Sequence, residues 1–241
     1  MRFAALAIAL TAALSVAGCS RAAEDAGFNE KVRAYLLAHP EVIEEAIQKL
    51  QDKKEADAAG KTRLALGENR QAIERDPRDF VANPGGKITV TEFYDYRCPH
   101  CINAAPSVLK IIQSNPDVRF VFKEMPIFGA TSEHAARAAI AVKAAGGDYL
   151  GAYRAMMTTH GLDDTAVDRI SRGLGVDPAK TESGQARTTA DAQIADVHKL
   201  AALLDIDGTP TFIIGETVVP GEDMDAVQAA ITKAKSGGKA G

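Results

Sequence analysis

The chain has 241 residues, with 28 Lys and Arg against 32 Asp and Glu, and a formal net charge of −4 at pH 7. That length allows one substantial domain plus an appendage. The mild acidity argues against nucleic acid as a partner. Cysteine occurs only three times, which points away from a disulfide-stapled scaffold, and tryptophan does not occur.

The first segment carries an export pattern. Met1-Arg2 is a short positive start, and Phe3 to Val16 is an apolar run too short to span a bilayer comfortably. It ends in Val16-Ala17-Gly18-Cys19, similar to the lipobox of bacterial lipoproteins, in which the cysteine is acylated and becomes the mature N-terminus. Ordinary cleavage after Ala17 or Ala23 is the other reading, and it leaves no anchor. Under both the segment is a signal peptide, taken here as residues 1–18, and the mature chain is exported. Loss of Arg2 takes the net charge from −4 to −5.

Residues 19–79 read as a helical segment. Asn29 can cap a short helix carrying Val32, Tyr35 and Leu36, which His39-Pro40 ends; Pro40 then suits the first position of the next helix. Glu41, Glu44 and Glu45 load its start and Lys49, Lys53 and Lys54 follow toward its end, as the helix dipole favours. Val42, Ile43, Ala46, Ile47 and Leu50 form one apolar stripe at helical spacing. Gly60 reads as a hinge or break before Lys61 to Glu74 resumes with Leu64, Leu66 and Ile73. Asp76-Pro77 and Asn83-Pro84-Gly85-Gly86 close the segment with turns. A lone helix hairpin cannot bury enough surface to be stable. The stripe therefore packs on the following domain or against other copies of the chain, and periodicity leaves both open.

From there the pattern is α/β, over about residues 80–235. Lys87 to Tyr94 is a strand and Pro99 to Gln113 a helix with Ala104, Val108, Leu109 and Ile112 inward. Val118 to Phe122 is a nearly continuous apolar strand, as a central strand requires. Residues 131–204 read as helical, with breaks at Gly146-Gly147, His160-Gly161 and Gly173 to Pro178. Thr211 to Ile214 and Glu216 to Val219 read as a hairpin about Gly215. Asp223 caps a last helix through Ala234, and 236–241 reads as a disordered tail.

Cys98-Pro99-His100-Cys101 lies between the first strand and the first helix of this domain. A sulfur at a helix N-terminus faces unpaired N–H groups and the positive end of the macrodipole, which favour thiolate over thiol. Cys98 is then a nucleophile at neutral pH, and Cys101, one turn on, resolves a mixed disulfide. A zinc site would need two further ligands at matching spacing, and no second C-x-x-C or paired histidine exists. No metal and no cofactor beyond a redox-active Cys98–Cys101 disulfide is expected.

The C-x-x-C after a strand, with a distant Thr-Pro opening a hairpin and a last helix, resembles the thioredoxin superfamily. Glu92-Phe93-Tyr94-Asp95-Tyr96-Arg97-Cys98-Pro99-His100-Cys101 resembles the active-site strand of DsbA-like periplasmic oxidoreductases, with an acid six residues before the first cysteine and a Pro-His dipeptide. The N-terminal helices are similar to those of ScsC-type proteins, a subgroup associated with copper tolerance, some members of which trimerise and isomerise disulfides. The resemblance implies a thioredoxin fold with an inserted helical domain, preceded by a helical stalk. It further implies that Cys98 attacks, that Cys101 is the more buried partner, and that Pro99 and His100 tune the thiolate. Pro210 would be a cis proline facing the dithiol, with Thr209 presenting its backbone to substrate in β fashion.

Glu92 stands alone in an apolar strand. Buried beneath the dithiol it would have a raised pKa and could exchange a proton with Cys101; on an edge strand it would simply face water. Lys123, ending the second strand, is its expected charge partner. His39, His134, His160 and His198 share no spacing and read as structural or surface residues.

These readings converge on an exported, periplasmic thiol–disulfide oxidoreductase acting on unfolded or misoxidised proteins. The foremost version is a disulfide isomerase, homotrimeric through its N-terminal helices and kept reduced by a membrane partner of the DsbD/ScsB type. A monomeric DsbA-like thiol oxidase is the alternative. A copper(I) carrier is a reading of another class, since soft thiolates select Cu(I), but no Met or His cluster lies near the dithiol.

Overall fold

The computed structural model describes residues 27–237. The signal peptide, Cys19 and the last four residues of the tail lie outside them. The described chain forms two compact units, one up to Gly60 and one from Lys61 onward.

In the first unit, helix α1 covers residues 27–38 and His39-Pro40 separates it from α2 (Glu41–Glu68). Gly60 does not break α2, which runs on through it; a single glycine costs a helix only about 1 kcal/mol. Along this unit Ile43, Ile47 and Leu50 are each about half exposed.

The second unit begins with the end of α2, where Leu66 is buried, and a short helix α3 (Arg70–Glu74) that buries Ile73. Each such aliphatic side chain is worth about 1.5–3 kcal/mol of burial, so these two residues belong to the domain core and not to an appendage. They join Phe93, Met125, Val197, Leu200, Leu204 and Ile213 in one apolar cluster.

The sheet has five strands in the order β1-β3-β2-β4-β5: β1 (Phe80–Ala82), β2 (Ile88–Tyr94), β3 (Val118–Glu124), β4 (Thr211–Ile214) and β5 (Thr217–Pro220). β2 runs parallel to β3 and antiparallel to β4, so it is central, and β3 is parallel to it across the intervening helix α4 (Pro99–Ser114). β1 adds antiparallel to β3; it is a strand the sequence pattern did not show. Gly86 allows the turn into β2, because a Cβ there would fall 2.3 Å from the backbone nitrogen of Arg119.

Between β3 and β4 the chain makes α5 (Ala130–Ala144), α6 (Tyr149–Thr158), α7 (Asp164–Gly173), α8 (Pro178–Thr181) and α9 (Gly184–Leu203). The three expected breaks are present, and a fourth falls at Glu182-Ser183. The final helix α10 (Met224–Gly237) follows the hairpin; Asp223 Oδ1 accepts the Ala226 amide at 2.9 Å, and Ser236 and Gly237 are helical. One face of the sheet packs residues of α4, α5, α6, α7 and α10, and the other packs α3 and α9. This is the thioredoxin fold with an inserted helical domain.

Candidate active site

Cys98 is the N-cap of α4, with Pro99 as its first residue, where a missing N–H costs nothing. The Ile102 amide donates to the Cys98 carbonyl at 3.0 Å and the Cys98 amide donates to Asp95 at 3.2 Å, which fixes the turn. Cys98 and Cys101 are both thiols and both buried.

The two sulfurs are held very differently. The Cys98 pKa falls from 9.0 to about 5, chiefly because the Cys101 thiol donates to it, with further donation from the Thr209 hydroxyl and the backbone amides of Cys101 and His100. These stabilising contacts outweigh the burial that opposes ionisation. The Cys101 pKa is pushed far upward, first by burial and then by its bond to Cys98. One sulfur is therefore a ready nucleophile and the other a reserved proton donor.

The Thr209–Pro210 peptide is cis. As a thiol, Cys98 Sγ donates to the Thr209 carbonyl at 3.1 Å, so the residues expected to receive substrate do lie against the nucleophile. The Thr209 hydroxyl is buried without a partner in the thiol state, which leaves it free to serve the thiolate.

His100 supports Cys98 through its amide. Its exposed ring is turned to Glu222, with Nδ1 3.3 Å from the carboxylate.

Glu92 is fully buried on central strand β2, so it is not an edge-strand acid. Burial raises its pKa to about 8, against the weak donation of the Tyr153 hydroxyl at 3.4 Å. Its charge is among the causes that raise Cys101. The expected pairing with Lys123 does not form. Neighbouring residues on a strand face opposite ways, and Lys123 pairs in register with Phe93 rather than with Glu92. Its ammonium instead meets the buried Asp79 carboxylate and the Ala72 carbonyl.

Asp95 was missed by sequence reasoning. Its carboxylate accepts the amides of Arg97 (2.7 Å), Ile127 (2.6 Å) and Phe128 (2.9 Å) and the hydroxyl of Ser132 (2.8 Å). It ties the residues before Cys98 to the loop after β3, which presents Ile127 and Phe128 to solvent. An acid between aromatic residues ahead of a turn was the only hint. His134 is structural, as read: its two ring nitrogens each lie 2.9 Å from a carboxylate, Asp168 and Glu182, and hold α5 to the helices that follow. His39 and Glu41 form only an exposed local contact.

A cavity of about 620 Å3 opens on the α4 side, lined by Tyr96, Arg97, Ile102, Pro106, Arg154 and Met157 among others. Among the described residues no group of three His, Cys, Asp or Glu is placed to hold a metal ion.

A depressed thiolate at a helix N-terminus, a buried second thiol one turn on, and a cis proline against the first sulfur define a dithiol–disulfide exchange centre. Residues 89–232 match the model of the DSBA-like thioredoxin domain, and the chain belongs to that family. Residues 25–57 match the model of the copper resistance protein ScsC N-terminal domain. A thioredoxin-like oxidoreductase from Silicibacter pomeroyi is 36% identical, with a TM-score of 0.64 over 70% of this chain and 98% of its own. Proteus mirabilis ScsC, in a transitional conformation, is 28% identical with a TM-score of 0.62, over 88% of this chain and 97% of its own. The thiol:disulfide interchange protein DsbA of Bordetella pertussis is 32% identical over 136 residues, 54% of this chain. The chain spans 64% of that relative's length and 29% of another curated match, the Na(+)/H(+) antiporter NhaA 1 of Salinispora arenicola.

Proposed function

We propose that this protein is a periplasmic disulfide isomerase acting on misoxidised proteins. The observation that carries the thiol chemistry is the asymmetry of the pair: Cys98 falls to about 5 while burial drives Cys101 upward. At pH 7 a pKa of about 5 leaves about 99% of Cys98 as thiolate. The thiolate attacks a substrate disulfide, its new S–S bond forming as the substrate S–S bond breaks, and the electron pair leaves on the other substrate sulfur. If the substrate rearranges, its own freed thiolate displaces Cys98. If it does not, Cys101 attacks Cys98, the Cys101 proton passes to Glu92, and the substrate leaves reduced. Isomerisation thus returns the dithiol unchanged, while each reductive escape oxidises it. A membrane reductant of the DsbD/ScsB type would restore it.

Support for an oligomer comes from the half-exposed Ile43, Ile47 and Leu50 at helical spacing, together with the ScsC-type match over residues 25–57. Several active sites on one particle, in the foremost version three, would hold a misfolded chain at high effective concentration through repeated trials. The test compares full-length mature protein with a form lacking residues 27–60, which leaves the core residues Leu66 and Ile73 in place. Both forms should reduce a simple disulfide. Only the full-length form should be oligomeric by light scattering and refold scrambled ribonuclease well. A monomeric full-length chain, or equal refolding by both forms, would overturn the isomerase reading in favour of a monomeric oxidase. The stabilised thiolate favours the reduced enzyme and suits that alternative too.

A further inference from the structure

The chemistry above gives work to Cys98, Cys101 and Glu92 and leaves a second fully buried carboxyl, Glu124, without any. Glu124 closes β3 opposite Tyr94, while Glu92 lies opposite Phe122. Residues two apart on a strand share a face, so Glu92 and Glu124 are diagonal neighbours under the same helices. Strand geometry sets their backbones about 8 Å apart.

Three phenols cage Glu124. Its Oε1 accepts Tyr94 and Tyr149 at 2.6 Å each and Tyr96 at 3.2 Å. The Tyr94 oxygen also lies 2.8 Å from the oxygens of Tyr96 and Tyr149. These are five short oxygen–oxygen contacts, and with Glu124 ionised the hydroxyls bring only three protons. Two contacts between oxygens would then have no proton between them. One more proton, on the carboxyl, fills one of those two contacts, while the three donations to Oε1 favour the ionised acid and burial opposes it.

We propose that Glu124, caged by Tyr94, Tyr96 and Tyr149, is a positioning residue coupled to Glu92, so that once one of the two buried carboxyls has ionised the other holds its proton and the pair carries a single negative charge. Two ionised carboxyls at diagonal positions on one buried face repel, and Glu124 is among the causes that raise Glu92, so the protons come off the pair in coupled steps. The groups facing Glu124 are the three phenols and the Asp95 carboxylate; those facing Glu92 are the Tyr153 phenol, the Cys101 thiol and Glu124 itself. The adjacent Lys123 is committed to Asp79. No basic side chain is therefore among the strongest influences on either acid, and burial raises both to about 8. While Glu124 keeps its proton, Glu92 can ionise and take the proton of Cys101 as the Cys101–Cys98 bond forms and the substrate thiolate leaves. The catalytic consequence rests on Glu92 serving Cys101; the coupling does not.

The test is an infrared titration of the carboxyl bands of the reduced full-length protein across neutral pH. Glu92→Gln should lower the Glu124 midpoint by about one pH unit, and Glu124→Gln should lower that of Glu92 equally, since coupling is reciprocal. Tyr149→Phe removes a donor to the carboxylate and should raise the Glu124 midpoint; it decides the matter if Glu124→Gln does not fold. In Glu124→Gln the ascending limb of the Cys101 attack rate should move down by about one pH unit, with the Cys98 midpoint unchanged. A merely structural Glu124 would lower the rate at every pH without moving the limb. Midpoints unmoved in the partner's variant, or a Glu124 already ionised below neutral pH, would overturn the proposal. Coupled midpoints with an unmoved attack profile would uphold the coupling and remove Glu92 from the base role instead.

Discussion

Replacing Cys101 with Ala removes the strongest single support of the Cys98 thiolate, the thiol that donates to it, and leaves the backbone donors of α4 in place. A hydrogen bond to a charged group is worth about 1.5–3 kcal/mol. At 1.36 kcal/mol per pH unit that is a rise of about one to two units, from about 5 toward about 6 or 7. The loss should stop short of a free thiol, because the amides of His100 and Cys101 and the Thr209 hydroxyl still face the sulfur. Ultraviolet thiolate absorbance against pH reads the midpoint directly, and alkylation rates against pH give an independent curve. A midpoint left near 5 in the variant would refute the role given to Cys101. A free-thiol midpoint in the unaltered protein would refute the activated nucleophile altogether.

The same thiolate ties stability to redox state. Its pKa is depressed in the folded reduced protein, so its contribution is fully present above the unfolded value near 9 and is lost as pH falls through about 5. The melting-temperature gap between reduced and oxidised protein should widen in favour of the reduced form from about pH 5 to pH 9, and scanning calorimetry at a pH series would show it. Lys123→Met leaves the buried Asp79 carboxylate without its cation and should cost about 3–5 kcal/mol by urea melts, less when Asp79→Asn accompanies it. Gly86→Ala drives a Cβ into the Val118–Arg119 backbone, where side-chain rearrangement cannot relieve it. A loss of at least about 1–3 kcal/mol is expected, and unchanged stability would mean that the turn has room for a Cβ. Ile47→Asp on the exposed helical stripe should lower the particle mass seen by light scattering without lowering the melting temperature of the domain from Lys61 onward.

The parts legible in the sequence are those specified by short-range pattern. β2 and the core of β3 show as apolar runs, the closing hairpin is marked by Gly215, the last helix by Asp223, and the dithiol by its own spacing. What stayed hidden depends on partners distant along the chain. β1 is three residues long, too short for a period, and exists because β3 offers it an edge. Lys123 and Glu92 looked like a pair because both end or interrupt apolar strands. The alternation of side chains separates them, and the true partner, Asp79, sits in a turn segment that carries no strand signal. Asp95 acts through amides more than thirty residues on. The Glu124 cage draws its tyrosines from β2, the loop after it and α6, and no spacing links them. Gly60 gave a break signal that the neighbouring good helix formers overrode.

The central claim is that Cys98 attacks and Cys101 resolves. Incubating the Cys101→Ala protein with a disulfide-bonded unfolded substrate should trap a mixed disulfide at Cys98 that persists on a non-reducing gel and maps to that residue by mass spectrometry. The Cys98→Ala protein should trap none, because burial holds Cys101 protonated. An adduct of equal yield at Cys101, or no adduct from either variant, would contradict the assignment.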